Sequence, residues 1–137
     1  MYYKESDSSK FNPSNMIVHI TQNTTFPYSI TVNTKSHILI LFKYGKLFKT
    51  FPIAVGKSST PTPRGHYKIV NKAVNPGGPY GVRWLGLNIP DGGYGIHGTN
   101  NNSSIGNSVS HGCIRMFNKD VVVLYNLVQP GTSVDII

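Results

Sequence analysis

Short runs of β-branched and aromatic residues, interrupted by glycine and proline, most constrain the fold of this chain. The 137 residues include 14 glycines and 9 prolines, which predicts many turns and short elements. The clearest run is "HILILFKYGKLFKTFPIAV", residues 37–55, in which Tyr44 and Gly45 predict the turn of a β-hairpin. Both faces of its first arm, residues 38–42, are apolar, which predicts a strand buried on both sides.

The same pattern continues along most of the chain. Predicted strands cover residues 16–20, 28–33, 66–74, 82–89, 94–98 and 132–137, joined by irregular segments at 56–65, 75–81, 90–93 and 99–110. The sequence contains no internal repeat and no linker. These observations predict one mostly-β domain.

One helix is predicted near the end of the chain. Asn118 is a good N-cap and Asp120 lies in the first turn. The apolar residues Val121, Leu124, Tyr125 and Val128 form a stripe at i, i+3, i+4 and i+7. Three valines weaken this prediction slightly, because β-branched residues are mediocre helix formers. Pro130 and Gly131 are expected to stop the helix.

The first fifteen residues, "MYYKESDSSKFNPSN", are polar and predict a flexible tail, which leaves 16–137 as the folded domain. They contain no apolar stretch typical of a signal peptide. No apolar run approaches the length of a membrane span. A single cysteine excludes an intrachain disulfide.

The chain is strongly basic. It contains 13 lysines and arginines and 5 acidic residues, which gives a net charge of +8. Such a surface attracts polyanions, of which nucleic acid and an anionic bacterial wall are two candidates. Only three arginines are present, although arginine is the usual reader of base edges. The lysines are scattered and no helix-turn-helix pattern is present. Nucleic-acid binding is therefore not expected.

The only cysteine, Cys113, lies in the polar segment "IHGTNNNSSIGNSVSHGCIRM", residues 96–116. His111 is two residues away, and on an extended strand such neighbours point to one face, roughly 6–7 Å apart at Cα. His97 is a second candidate base if its strand lies beside this one. Gly112 leaves nearby N–H groups accessible for an oxyanion, and Arg115 could receive a substrate carboxylate.

Other uses of these residues stay open from the residues alone. A lone cysteine is more often a small buried apolar residue than a nucleophile. Zinc usually takes four ligands, and one cysteine with two nearby histidines is too few. A serine triad using Ser110 lacks an acidic partner, since neither Asp91 nor Asp120 sits in such a motif.

The same segment resembles the active-site segment of the L,D-transpeptidases of the YkuD family, which are cysteine enzymes that cross-link peptidoglycan. The family pattern is a histidine, a Gly- and Ser-rich stretch, and then Ser/Thr-His-Gly-Cys, matched here by His97 and by residues 110–113. The segments "GKLFKTFPIAVGKSSTPTPRGHYKI" and "GGPYGVRWLGL" are also similar to the family. The resemblance covers about residues 16–137 and implies a β-sandwich or barrel-like domain with one or two short helices.

Two features depart from the usual family pattern. The gap of twelve residues between His97 and Ser110 is short, although relatives most like bacillar YkuD share it. Arg115 stands where many members have asparagine, which resembles a subset with "HGCIRM" and bears on how the donor's carboxylate is held.

The resemblance implies a role for each matching residue. Cys113 would be the nucleophile and His97 its base, oriented by the backbone carbonyl of Gly98, with His111 a neighbour. The N–H groups of Gly112 and Cys113 would form the oxyanion hole. The implied substrate-binding residues are Ser110, Arg115, Tyr80, Arg83 and Trp84.

The resemblance also implies the reaction and its setting. A Cys113 thioester would form with release of D-Ala from a tetrapeptide stem and then yield a 3→3 cross-link; a carbapenem would acylate the same cysteine. An L,D-carboxypeptidase that hydrolyses the thioester and a non-catalytic wall-binding module are the alternatives. No metal or cofactor is expected. The expected partners are peptidoglycan stems and anionic wall polymers, and the expected protein is an extracytoplasmic monomer at the wall or spore.

Overall fold

The computed structural model describes residues 26–137. Its nine strands are β1 (Tyr28–Asn33), β2 (Ile38–Lys43), β3 (Lys46–Gly56), β4 (Gly65–Val74), β5 (Arg83–Leu87), β6 (Gly95–His97), β7 (Ser108–Ser110), β8 (Ile114–Met116) and β9 (Ser133–Ile136). Within the described residues there are also one α-helix, α1 (Asn118–Leu127), and two 3-10 turns (Gly78–Tyr80 and Asn102–Ser104). The predicted mostly-β fold with short helices is confirmed. The predicted strand 16–20 and the predicted tail 1–15 lie outside the described residues.

The strands form one sheet in the order β2-β1-β9-β4-β5-β6-β8-β3-β7. Because β2 also pairs with β3, the order closes into a barrel-like ring, with β7 attached beside β3. The long strand β3 makes this closure possible, since residues 46–52 pair with β2 and residues 53–54 pair with β8. Closing a sheet removes the exposed strand edges that an open sheet presents.

The predicted hairpin forms, but the prediction that its first arm is buried on both sides is wrong. Leu39 and Leu41 are fully buried, whereas Ile38 and Ile40 are only half-buried. Alternate side chains of a strand point to opposite faces, and only one face of β2 meets the core. Tyr44 and Gly45 both adopt positive φ, as a two-residue hairpin turn of type I′ requires.

The predicted helix is present, although its N-cap differs from the prediction. Asn118 is the first helical residue, Phe117 occupies the cap position, and no side chain caps the helix. Val121 and Leu124 are buried as the stripe predicts. The helix packs against β5 and β6, which places its first residue behind the strand that ends in His97.

The core is one apolar cluster to which the strands and α1 both contribute. It consists of Ile30, Val32, Leu39, Leu41, Phe51, Ile53, Val55, Ile69, Leu85, Leu87, Ile89, Ile96, Ile114, Met116, Val121, Leu124, Val128, Val134 and Ile136. Burial of each such side chain stabilises the fold by about 1.5–3 kcal/mol. Because β6 and β8 contribute Ile96 and Ile114 to this cluster, the polar residues that flank those two strands are fixed relative to each other.

Candidate active site

Parallel pairing of β6 with β8 brings the two ends of the polar segment together. Ile96 pairs with Ile114, and His97 pairs with Arg115. Neighbouring strands lie about 4.8 Å apart, so Cys113, directly before β8, lies beside the beginning of β6. Cys113 and His97 therefore border one cleft although 16 residues separate them in the chain.

This active cleft is open and has a volume of about 370 Å³. Its lining residues are Pro79, Tyr80, Gly92, Gly93, Tyr94, His97, Ser110, His111, Cys113 and Arg115. The structure thus brings together six of the predicted site residues: Tyr80, His97, Ser110, His111, Cys113 and Arg115. Tyr94 also lines the cleft and was not found from the sequence, because a single tyrosine after a glycine turn carries no signal.

Cys113 is half-buried, and its sulfur lies 3.5 Å from the carbonyl oxygen of Gly93. Burial raises the pKa of the Cys113 thiol, and this effect is opposed by a backbone hydrogen bond from Gly95 and by the positive charge of Arg115. Burial favours the neutral thiol because a thiolate loses hydration in the protein. The raised pKa therefore favours a neutral thiol in the resting protein, so a base is needed to form the thiolate.

His97 is almost completely buried, with 3% of its surface exposed. Its Nδ1 lies 2.5 Å from the carbonyl oxygen of Gly98, and because a carbonyl can only accept, Nδ1 carries the proton. The neutral ring then has a lone pair on Nε2. Burial lowers the pKa of His97, the Gly98 carbonyl opposes that shift, and the charge of Arg115 adds to it, so the structure favours the neutral imidazole.

Two aromatic rings hold this imidazole in place. Trp84 stacks on His97 with ring centroids 5.7 Å apart and an interplanar angle of 14°. Tyr80 meets His97 edge-on at 5.1 Å, and the Trp84 indole N–H donates to Asn71 Oδ1 at 3.0 Å. Trp84 therefore lies against His97 and outside the residues that line the active cleft.

Arg83 also lies away from the cleft. Its guanidinium donates to the carbonyl of Val82 at 2.7 Å and lies 5.3 Å from the centre of the Tyr125 ring on α1. The strand β5 alternates its side chains, so Trp84 faces His97 and Arg83 faces the helix. Arg83 and Trp84, both predicted to bind substrate, are therefore not among the residues that line the active cleft.

Ser110 fixes the backbone that precedes the cysteine. Its buried hydroxyl donates to the carbonyl of Cys113 at 2.6 Å and accepts from the N–H of Gly112 at 3.1 Å. The N–H of Gly112, an expected oxyanion donor, is therefore already engaged in a hydrogen bond within the loop.

Gly112 is the residue that lets this turn form. Its φ of +126° is in a region that favours glycine. An added Cβ would lie 2.6 Å from the Tyr94 ring. Residues 111–113 form a bend between β7 and β8, so the prediction that His111 and Cys113 share one face of an extended strand is wrong. His111 is exposed at the rim of the active cleft.

Asn118, which the sequence predicts as a helix N-cap, instead bonds the backbone of two loops. Its Oδ1 accepts from the N–H groups of Thr99 at 3.1 Å and Val82 at 3.3 Å, and its Nδ2 donates to the carbonyl of Thr99 at 3.1 Å. A Cβ at Gly98 would collide with this amide, so glycine there permits the close approach. The amide thus ties the segment after His97 to the loop that carries Tyr80.

No group of three histidine, cysteine or acidic side chains within 26–137 is arranged to hold a metal ion. No helix in the same range is long and apolar enough to cross a membrane.

The barrel-like ring has counterparts among solved L,D-transpeptidases. A mutant of the Enterococcus faecium L,D-transpeptidase is 26% identical with a TM-score of 0.70, covering 81% of this chain and 50% of that one. The LD transpeptidase LdtMt1 in complex with imipenem has a TM-score of 0.69 at 20% identity, covering 82% and 59%. The fold is therefore that of the L,D-transpeptidases.

Sequence comparison identifies the family. Residues 27–136 match the YkuD family model, described as the L,D-transpeptidase catalytic domain. A Bacillus licheniformis protein named "Putative L,D-transpeptidase YkuD" is 52% identical over 121 residues, 88% of this chain and 72% of that protein. The chain belongs to the YkuD family of L,D-transpeptidase catalytic domains. It spans about half to three-fifths of the solved L,D-transpeptidase chains just described.

Proposed function

We propose that this chain is an L,D-transpeptidase that forms 3→3 peptidoglycan cross-links through a thioester on Cys113. The observation that carries the proposal is that buried His97 borders the same cleft as Cys113. The Nδ1–H of His97 donates a hydrogen bond to the Gly98 carbonyl. Such a histidine presents a basic nitrogen to a thiol without an acidic third residue. Membership of a family that acts on peptidoglycan supports the substrate class.

The reaction proceeds in two acyl transfers. Cys113 sulfur attacks the carbonyl that joins the third residue, a diamino acid, to D-Ala, and its proton passes to His97. The C–N bond breaks, His97 returns the proton to the leaving D-Ala amine, and a thioester remains. The side-chain amine of a neighbouring stem then attacks this thioester. His97 takes the amine proton, and the Cys113 sulfur leaves and is reprotonated.

The pKa directions favour a neutral resting pair over a preformed thiolate and imidazolium. Burial raises the pKa of Cys113 and lowers that of His97, and both shifts oppose charge separation before substrate binds. His97 would thus act as a general base during attack. His111, exposed on the rim, lacks an equivalent carbonyl partner in the described structure and is proposed as a secondary contributor.

Substrate contacts are proposed for the remaining residues of the active cleft. Arg115 would receive the donor's carboxylate, since its guanidinium can bind a carboxylate through two parallel hydrogen bonds. Tyr80 would contact the stem, and Ser110 would act through the backbone it holds. The N–H of Cys113 is the proposed oxyanion donor, and Gly112 would contribute only if its hydrogen bond to Ser110 breaks.

Intact-mass measurement with imipenem tests the catalytic assignment, because the related fold of LdtMt1 is known in complex with this carbapenem. We expect one covalent adduct on the wild-type protein and none on Cys113→Ala. His97→Ala should lose nearly all acylation, while His111→Ala retains part of it. An unmodified wild-type protein, or an undiminished adduct on Cys113→Ala, would contradict the proposal and favour a non-catalytic wall-binding module.

Product analysis on isolated muropeptides separates transfer from hydrolysis. Cross-linked dimers with released D-Ala are expected, whereas tripeptides alone would identify an L,D-carboxypeptidase.

Arg115→Ala should raise the KM for the tetrapeptide donor. An unchanged KM would show that another group binds the donor's carboxylate. We further propose that the protein acts as a monomer outside the cytoplasm at the wall or spore, where its net charge of +8 favours anionic polymers.

A further inference from the structure

A second cleft lies at the loop that follows β3, and the proposed reaction does not use it. Its volume is about 610 Å³, larger than that of the active cleft. Its lining residues are Thr34, Lys35, Val55, Gly56, Lys57, Ser58, Pro61, Thr62, Pro63, Arg64 and Ser108. We call it the basic cleft, because three of these residues are cationic and none is acidic.

None of the three cations forms an ion pair within the described part of the chain. The ion pairs shown within residues 26–137 join His66 to Asp135 and Lys119 to Asp120. Lys35, Lys57 and Arg64 are all exposed at the rim, while Val55, Pro61 and Pro63 supply apolar walls. This combination suits a ligand with a short apolar body and an anionic group.

The wall of the basic cleft is held in one conformation. Thr62 is buried, and its Oγ1 accepts from the N–H of Gly56 at 2.9 Å. A Cβ at Gly56 would lie 2.6 Å from the Thr62 nitrogen, which shows how closely the loop folds back on β3. A preformed wall reduces the ordering cost of binding.

The loop that forms this wall is also attached to the active cleft. The carbonyl of Ser110 accepts from the N–H of Lys57 at 3.0 Å and from Thr60 Oγ1 at 2.9 Å. Ser108 lines the basic cleft and Ser110 lines the active cleft. Two residues along β7 separate them, about 7 Å, which an extended peptide of a few residues can span.

We propose that the basic cleft binds a carboxylate of the acceptor stem peptide and so directs its side-chain amine to the acyl group on Cys113. The inference rests on the proposed function and adds the residues that select the acceptor: Lys35, Lys57 and Arg64. The donor's carboxylate is assigned to Arg115 in the other cleft, so the two stems have separate anion sites.

The triple variant Lys35→Gln/Lys57→Gln/Arg64→Gln tests this assignment. Glutamine approximately keeps the side-chain length at these positions. It also leaves intact the hydrogen bond from the backbone N–H of residue 57 to the Ser110 carbonyl. We expect the acceptor KM to rise roughly tenfold at low salt, with the donor KM unchanged, because each solvent-exposed charge pair contributes only modestly to binding. The fraction of hydrolysed product should rise as transfer weakens.

A matched variant removes the same charge elsewhere. Lys43→Gln/Lys46→Gln/Lys49→Gln lowers the net charge equally on the β2–β3 hairpin, whose three lysines are exposed, and should leave the acceptor KM unchanged. An equal rise in the acceptor KM of both variants would overturn the proposal that the basic cleft binds the acceptor, and it would assign the effect to overall charge.

Imipenem acylation separates failure of this inference from failure of the proposed function. An unmodified wild-type protein would refute the catalytic proposal itself. Normal acylation of the basic-cleft variant with an unchanged acceptor KM would refute only the acceptor site. NMR titration of wild-type protein with free stem tripeptide should shift the amides of residues 57–64. Shifts with inorganic phosphate but not with tripeptide would overturn the choice of a stem carboxylate and favour a phosphate-bearing wall polymer.

Discussion

Replacing Asn118 with alanine removes the amide that ties the segment after His97 to the loop before β5. Three hydrogen bonds are lost, to the N–H groups of Val82 and Thr99 and to the Thr99 carbonyl, at 3.1–3.3 Å. Thr99 is 2% exposed, so its freed polar groups would be left largely without water. Deleting a hydrogen bond is most destabilising in this situation, because the buried group that remains keeps its full desolvation penalty without a partner.

The magnitude follows from these three bonds. Each contributes about 1 kcal/mol net, with up to about 3 kcal/mol where a buried partner is orphaned. The bond to Val82 is the longest and the weakest of the three. We therefore expect Asn118→Ala to lower the free energy of unfolding by about 2–4 kcal/mol, or to lower Tm by roughly 10 °C for a domain of this size.

Chemical denaturation measures the stability change, and intact-mass kinetics with imipenem measure the effect on the site. The acylation rate should fall even at a temperature where the variant is fully folded, because Gly98, which orients His97, directly precedes Thr99. Asn107→Ala is the matched control, since exposed Asn107 makes one bond to the Ser103 carbonyl and should cost under about 0.5 kcal/mol. Equal losses in the two variants would refute the reasoning.

Three further predictions follow from the site and from the helix. Gly112→Ala should lower stability by about 2 kcal/mol or more and slow acylation, because φ is positive there and the methyl group would meet Tyr94; denaturation and acylation rates check both. Alkylation of Cys113 by iodoacetamide should still accelerate between pH 8 and about 9, because burial raises the thiol pKa above the usual value of about 8.5, and a plateau by pH 7 would reveal a preformed thiolate. Lys72→Met should destabilise the end of α1 by about 1–2 kcal/mol, since the ammonium donates to the carbonyls of Tyr125 in α1 and of Val128 at its C-cap, at 2.7 and 2.9 Å; an unchanged denaturation midpoint would contradict it.

Local signals in the sequence were sufficient wherever one short segment decides the structure. Tyr44 and Gly45 predict a tight hairpin because their positive φ values are set by the turn itself. The apolar stripe of α1 predicts its buried face because helical periodicity is a local property. The motif of residues 110–113, read as a family resemblance, identified the segment that lines the active cleft.

Side-chain contacts across the fold could not be read in this way. Asn118 precedes a helical pattern, so capping is the reasonable expectation, yet its amide bonds two loops that are distant in sequence. Trp84 and Arg83 are adjacent, and β5 sends one to His97 and the other to Tyr125. Their roles depend on what packs against each face of a strand, which no local pattern contains.

The sequence by itself determined the mostly-β class, the hairpin, the helix and the segment that holds Cys113 and both histidines. The residues alone left both histidines open as the base and the family resemblance favoured His97, whereas the tertiary structure shows His97 buried against a carbonyl and His111 exposed at the rim. The physical reason is the parallel pairing of β6 with β8, which joins residues 18 positions apart and so brings Cys113 and His97, 16 positions apart in the chain, to one cleft. Hydrogen bonding and burial then distinguish His97 from His111, and both are consequences of that long-range pairing.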